Sequence, residues 1–431
     1  MTSQAAALLG HITDFYLKSH DFNGILVNDL IQGLEPSSLV TIKSLVLGGY
    51  VEVYSTEYEV NAHIKRLPAL EISSQIKFLD GMDSQTVCLY PSVKHMRRRL
   101  PGRVHRGQPF KRFLALGHAQ LEPIYFRLGV LERYQSDPRY IFRFDGLDGH
   151  ISVKETAYRG REMGKADKIM LETFGIGTDA KGHRVIVSFP RYLANLSARH
   201  QQHWQSYRVQ GECKMERNYG LRGLWGQWTD GVSIYDALLE EISHINRMCQ
   251  QIGLPNLFRR NYSAESRDYE DDQPLEEPKG FGLLMVPTRK RYLDFASVLD
   301  KIISENLNTE FFAVQGIELK EETLKDGQTL VVQKGTLRLL EEWLTKKIRI
   351  QAENGPTIIV GPLKEVRKLR QSPAHKFVND EYSIEYQSRK EKLILDVYIA
   401  ISNIRMFFQT HPSARGYAFP DHLKPENLVV F

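Results

Sequence analysis

An arginine and a histidine frame the run Arg370-Gln-Ser-Pro-Ala-His375. A guanidinium is a permanent planar cation that holds phosphate oxygens two at a time. An imidazole, with an ordinary pKa of about 6.5, both gives and takes protons near neutrality. Together they could grip an anion and move a proton beside it. Lys364, Arg367 and Lys368 extend a basic stripe behind Arg370, where they would guide an anionic substrate. A second tract is denser still: Lys94, Arg97, Arg98 and Arg99 run into Arg103 and Arg106. Pro101 and Gly102 interrupt it, so it reads as a loop. That loop either grips a phosphate backbone or forms a solvated basic face for an acidic partner.

The elements that must position Arg370 and His375 are helical. Ile359, Leu363 and Val366 recur at helical spacing, and Ser372-Pro373 then breaks the pattern. Proline cannot continue a helix but suits the first turn of a new one, with serine as its cap. Arg370 is therefore expected to end one helix and His375 to lie in the first turn of a short second one. Leu393, Val397, Ala400, Ile404 and Phe407 mark a long helix running to about Gln409. Tyr292–Leu307 and Thr336–Ile350 each carry an apolar stripe opposite a charged face. Four such helices can bury one core as a bundle.

A C-terminal helical bundle with an Arg-x4-His step at a helix junction resembles the HEPN superfamily, over roughly the last third of the chain. The resemblance implies metal-independent RNA cleavage, with Arg370 as transition-state clamp and His375 as acid and base across a homodimer. It also implies a toxin or antiviral-defence role. Some relatives carry a tyrosine two residues after the histidine; Phe377 stands there, so no role is carried over to it. The competing reading makes the bundle structural, with His375 capping or packing and Arg370 paired to Asp380 or Glu381.

At 431 residues the chain exceeds one ordinary core, and its 42% hydrophobic and 25% charged content is that of a globular protein. The fold class expected is α+β multidomain. No 18-residue apolar run or leader pattern is present, which predicts a cytoplasmic protein without a membrane partner. Cys88, Cys213 and Cys249 form neither a disulfide framework nor a Cys-x-x-Cys metal site, and no zinc spacing is seen among the 14 histidines. No cofactor is expected. The net charge of +5 is mild, so any attraction to RNA or DNA must come from local clusters.

Residues 1–70 read as three helices and a two-stranded hairpin, Tyr50–Tyr54 with Glu57–Ala62, loosely similar to winged-helix modules. The third helix offers one lysine and no arginine, a poor reading head for a DNA groove. Residues 71–261 read as a mixed α+β middle domain. Within it, Leu121–Tyr134 is expected as a helix, and Tyr140–Phe144, Ile151–Val153 and Arg184–Phe189 as strands. Pro190 is expected to open an aromatic, basic helix. His200 and His203, one turn apart on it, suit packing better than metal, since no further ligand stands at a matching interval. Glu212-Cys-Lys214 would complete a metal-dependent nuclease site only with a paired carboxylate, for which Asp179 is the candidate. Trp225, Trp228 and the apolar face of Ser233–Gln251 read as core, with Asp236, Glu240 and Glu241 solvated. Residues 262–280 form an acidic linker or flexible loop, and 281–431, opening on the strand-like Phe281–Val286, the bundle.

Three functions compete: a HEPN-type endoribonuclease with an N-terminal sensing or nucleic-acid-binding region, a non-catalytic DNA- or RNA-binding regulator that dimerises through the bundle, and a structural subunit.

Overall fold

The computed structural model describes residues 1–31, 37–55, 62–81, 85–100, 105–144, 146–160, 163–226, 231–262, 278, 280–325, 328–348, 355–371 and 379–430. The chain forms two compact units, Met1–Thr229 and Asp230–Phe431.

The first unit begins with helix α1 (Ser3–Lys18), capped by the Thr2 hydroxyl accepting from the Ala5 N–H. Leu8, Leu9, Ile12 and Tyr16 recur three and four apart and are buried. Strand β1 (Ile25–Leu26), helices α2 (Val27–Ile31) and α3 (Ser37–Leu47) and strand β2 (Val51–Ser55) follow. After helix α4 (Ile72–Asp80), strand β3 (Val87–Pro91) enters between β1 and β2, giving an antiparallel sheet of order β1-β3-β2. The central strand therefore lies beyond residue 70, where sequence patterning ended this module. Residues 57–61 of the expected hairpin return lie outside the described residues. Ile42, Leu45, Val51, Val53 and Leu89 share one core with α1.

Helices α5 (Val93–Arg99) and α6 (Pro109–Ala115) lead into a second sheet. Its strands are β4 (Ile124–Arg127), β5 (Tyr140–Phe144), β6 (Asp148–Val153), β7 (Met170–Asp179) and β8 (Arg184–Ser188), in the order β4-β8-β7-β6-β5; β9 (Cys213–Met215) adds to β7. The expectation of a helix over Leu121–Tyr134 is corrected: Ile124–Arg127 is an edge strand, and only Glu132–Ser136 is α-helical there. Gly175 on β7 is required by a close approach, because the Tyr219 ring lies where a side chain would begin. The helix opened by Pro190 stops at Leu193, and α7 (Ala198–Ser206) starts separately under the Ser197 cap. Trp204 of α7 is buried edge-on against Phe126, 4.9 Å between ring centres. Trp225, expected in the core, is 41% exposed; Trp228 lies outside the described residues.

The second unit is helical. Helix α8 (Ile234–Gln251) packs on α12 (Glu385–Gln409); α9 (Arg289–Ile302) packs on α11 (Gly355–Gln371), which also meets α10 (Thr336–Lys347) and α12. The compact units divide before α8, which sequence patterning had assigned to the middle domain. Residues 263–277 and 279 of the acidic stretch lie outside the described residues. Phe281–Val286, expected as a strand, is irregular, with Leu283, Leu284 and Met285 buried. Strands β10 (Lys320–Lys325) and β11 (Gln328–Gln333) form a hairpin.

Glu241, read as solvated, is fully buried. It accepts from Arg405 Nε at 2.7 Å, Ser402 Oγ at 3.0 Å and Tyr398 Oη at 3.3 Å, partners more than 150 residues away. Burial raises the Glu241 carboxyl pKa, and Arg405 opposes that rise. The segment after α12 folds back over this network. Tyr398 donates to the Leu423 carbonyl at 3.2 Å, the Arg405 guanidinium lies 3.8 Å from the Phe419 ring centre, and His244 Nδ1 meets Tyr417 Oη at 2.5 Å. Leu428–Val429 ends the segment in parallel pairing with Val232–Ser233.

Candidate functional site

Helix α11 sets Arg370 by burying its other face, with Ile359, Val360, Leu363 and Val366 inside the unit. Arg367 and Arg370, three residues apart, lie on neighbouring turns and reach the same carboxylate. Arg367 Nε donates to both oxygens of Asp300 at 3.0 and 2.9 Å, and Arg370 Nη1 donates to Oδ2 at 2.7 Å. Arg370 Nη1 also donates to Glu305. Asp300 is wholly buried, near the end of α9, while the Arg370 side chain is 32% exposed. A buried carboxylate is costly unless paired, and two guanidiniums offset that cost here. The bond that Arg370 donates to Asp300, then the one it donates to Glu305, raises the Arg370 pKa. The pairing with Asp380 or Glu381 weighed from sequence is replaced by these two partners. Asp380 instead accepts from the Lys290 N–H at 2.8 Å, at the start of α9.

Both bonds use one terminal nitrogen. Among the described residues, Arg370 Nε and Nη2 make no hydrogen bond, so three N–H donors remain for an anion. Helix α11 ends at Gln371, as the Ser-Pro step predicts. His375 and Phe377 lie outside the described residues. Of the flanking stripe, Lys364 pairs with Glu341 at 2.8 Å and Arg367 is an anchor for Asp300. Lys368 is exposed and has no ionic partner among the described residues.

The N-terminal basic tract is corrected from loop to helix over Val93–Arg99. Ser92 caps it, its hydroxyl accepting from the His95 N–H at 3.1 Å, and Met96 is its buried anchor. Lys94, Arg97 and Arg98 are exposed and meet no carboxylate among the described residues. Arg99 differs, pairing with Asp14 at 3.0 Å. Arg103 lies outside the described residues; Arg106 is exposed.

Tertiary structure brings two further residues to this helix. Gly117, with φ of +84°, packs a turn against Val93 and Met96 and accepts from the buried Lys65 Nζ at 2.5 Å. Next to it, His118 stacks on Phe113, 3.9 Å between ring centres. Burial first, then the positive charges of Arg97, Lys65 and Arg208, drives the His118 pKa down to about 4. Arg208 is exposed, in the stretch after α7. Sequence reasoning missed His118 and Arg208 because nothing local marks either one.

His200 uses both ring nitrogens, one with Tyr134 Oη at 2.8 Å and one with the Asp167 carbonyl at 3.0 Å; His203 Nε2 meets the Val130 carbonyl at 2.9 Å. Both are packing residues. Asp179 stands opposite Cys213 in the register, so Lys214 falls on the other sheet face, and Glu212 precedes the strand. The Asp179 carboxylate is occupied by the N–H groups of Lys181 and His183. No group of three or more His, Cys, Asp and Glu residues suited to a metal ion occurs among the described residues. Burial pushes the Cys88 and Cys249 thiols up to about 12, far from nucleophilic thiolates. No described helix is long and apolar enough to cross a membrane.

No protein-family model, curated protein or solved structure matches the chain.

Proposed function

We propose that the C-terminal unit is a metal-independent endoribonuclease of HEPN type, acting as a homodimer on RNA, with Arg370 and His375 at its site. The observation that carries this reading is the state of Arg370. Asp300 and Glu305 hold its guanidinium from one terminal nitrogen, and among the described residues its other N–H donors at the end of α11 make no hydrogen bond. Cleavage would use the neighbouring 2′-hydroxyl as nucleophile, His375 as acid and base, and Arg370 as the charge that steadies the phosphorane. One arginine and one histidine are few for this reaction, so two copies meeting across a two-fold axis would complete the site. Toxin or antiviral action belongs to the same proposal.

The test is cleavage of a mixed RNA pool by the intact protein and by His375→Ala. Loss of cleavage with unchanged thermal unfolding supports the assignment, and undiminished cleavage refutes it.

The N-terminal order of helices with a β1-β3-β2 sheet supports a winged-helix reading for the first module. Its third helix points Val40 and Leu47 outward, and its single lysine, Lys43, pairs with Asp80. That face suits protein contact better than a DNA groove. A second reading, a DNA- or RNA-binding regulator, is favoured by one observation: the exposed Lys94, Arg97 and Arg98 of α5 meet no carboxylate among the described residues.

A further inference from the structure

The basic residues of this chain are unequal once folded. Lys364, Arg367, Arg370 and Arg99 are occupied by carboxylates, whereas Lys94, Arg97, Arg98 and Arg208 project from the first unit without one among the described residues. Unpaired like charges held together repel one another, and an arriving polyanion relieves that repulsion. Half-exposed rings lie on neighbouring segments: His118 follows Gly117, which packs against Val93 and Met96 of α5, and Tyr207 precedes Arg208 in the chain. Phe113 and His118 form a stacked pair, and Tyr207, beside Arg208, has the Arg127 guanidinium 5.6 Å from its ring centre. Glu122 is an acidic group near Arg208; burial raises its pKa and Arg208 opposes that rise. Cations interleaved with ring faces suit a strand whose bases are free to stack.

We propose that Lys94, Arg97, Arg98 and Arg208, with the Phe113–His118 stack, form a binding surface for single-stranded nucleic acid on the first unit. The cations take the phosphates, and the ring pair takes a base. This surface stands apart from the cleavage reading: it lies in the other unit and needs neither Arg370 nor His375.

The test is fluorescence anisotropy of the full chain with a 2′-O-methyl RNA strand of roughly 16 nucleotides, about the upper span of one compact module. That strand cannot be cut through a 2′-hydroxyl, so failure here and failure of the nuclease assignment are separable. Replacing Arg97, Arg98 and Arg208 by Gln is expected to weaken binding about ten-fold or more. The slope of log affinity against log salt should become shallower by about 2. His118→Ala should weaken binding several-fold and leave that slope unchanged. Lys77→Gln with Lys181→Gln, two exposed cations elsewhere in the unit, should change neither quantity.

Equal loss in that control, or an unchanged slope in the triple variant, overturns the proposal. So does tighter binding of a DNA duplex of the same length, which would make the surface a duplex reader. Binding of phosphatidylserine vesicles without binding of the strand overturns it in favour of a membrane.

Discussion

Arg370 donates to the buried carboxylate of Asp300 at 2.7 Å, and Arg367, one turn earlier, grips the same carboxylate through Nε. Asp300 is thus the point at which α9 fixes the end of α11. Asp300→Ala would leave two guanidiniums without their shared anion. We expect it to destabilise the second unit by about 1–3 kcal/mol in urea unfolding, because the guanidiniums left behind are partly exposed and Arg370 keeps Glu305. Asp300→Asn, which keeps an acceptor, should cost less. A loss below about 1 kcal/mol in the alanine variant would show that the pair is not structural.

Arg370→Lys keeps the charge but loses the planar fork. RNA cleavage should fall by about a hundred-fold or more, the usual cost of losing one donor to a transition-state anion. Full activity in the lysine variant would mean that a point charge suffices.

Arg405→Met removes the guanidinium from Glu241 and leaves a buried carboxylate with hydroxyl partners only. Its pKa is already raised by burial and should rise further. A raised folded-state pKa means the native chain holds a proton that the unfolded chain releases, so stability is retained at low pH and lost as pH rises. Thermal unfolding of this variant should therefore improve between pH 7 and pH 5. A melting temperature that falls with pH over that range would contradict the buried pairing.

The first unit should behave in the opposite sense. His95, His105, His118, His200 and His203 all have lowered pKa values, chiefly through burial. The unfolded chain then binds more protons than the native one below about pH 6.5, and stability drops as pH falls toward the folded values. For His118 that window runs down to about 4. His118→Gln should flatten the acid limb of the unfolding curve, and an unaltered limb would show that its imidazole is not held neutral.

Local patterning carried much of the fold. Tyr140–Phe144 and the β-branched run of Arg184–Ser188 are strands, and the 3-4 repeats on α9, α10 and α12 are helices. Ile124–Arg127 was missed because Leu121–Tyr134 is continuously rich in large apolar residues, which edge strand and helix share. The α5 helix was hidden by Pro101 and Gly102 just beyond it. The burial of Glu241 and Asp300 leaves no local signal, because what buries each lies on helices far along the chain. The Arg370 step was legible as a helix end, but not its acidic anchor. For the same reason the Arg97–His118–Arg208 neighbourhood exists only in the folded unit.

The return of the chain after α12 also sets where this unit can be cut. Trimming everything beyond Gln409 would strip the Phe419 ring from Arg405, the Leu423 carbonyl from Tyr398 and the strand partner from Val232. Water would then reach the Glu241 carboxylate, and its attraction to Arg405 would weaken with the rise in local dielectric. The minimal folding piece of the second unit thus extends past its last long helix to Val429, and a boundary drawn from the helices alone would slice through its interior.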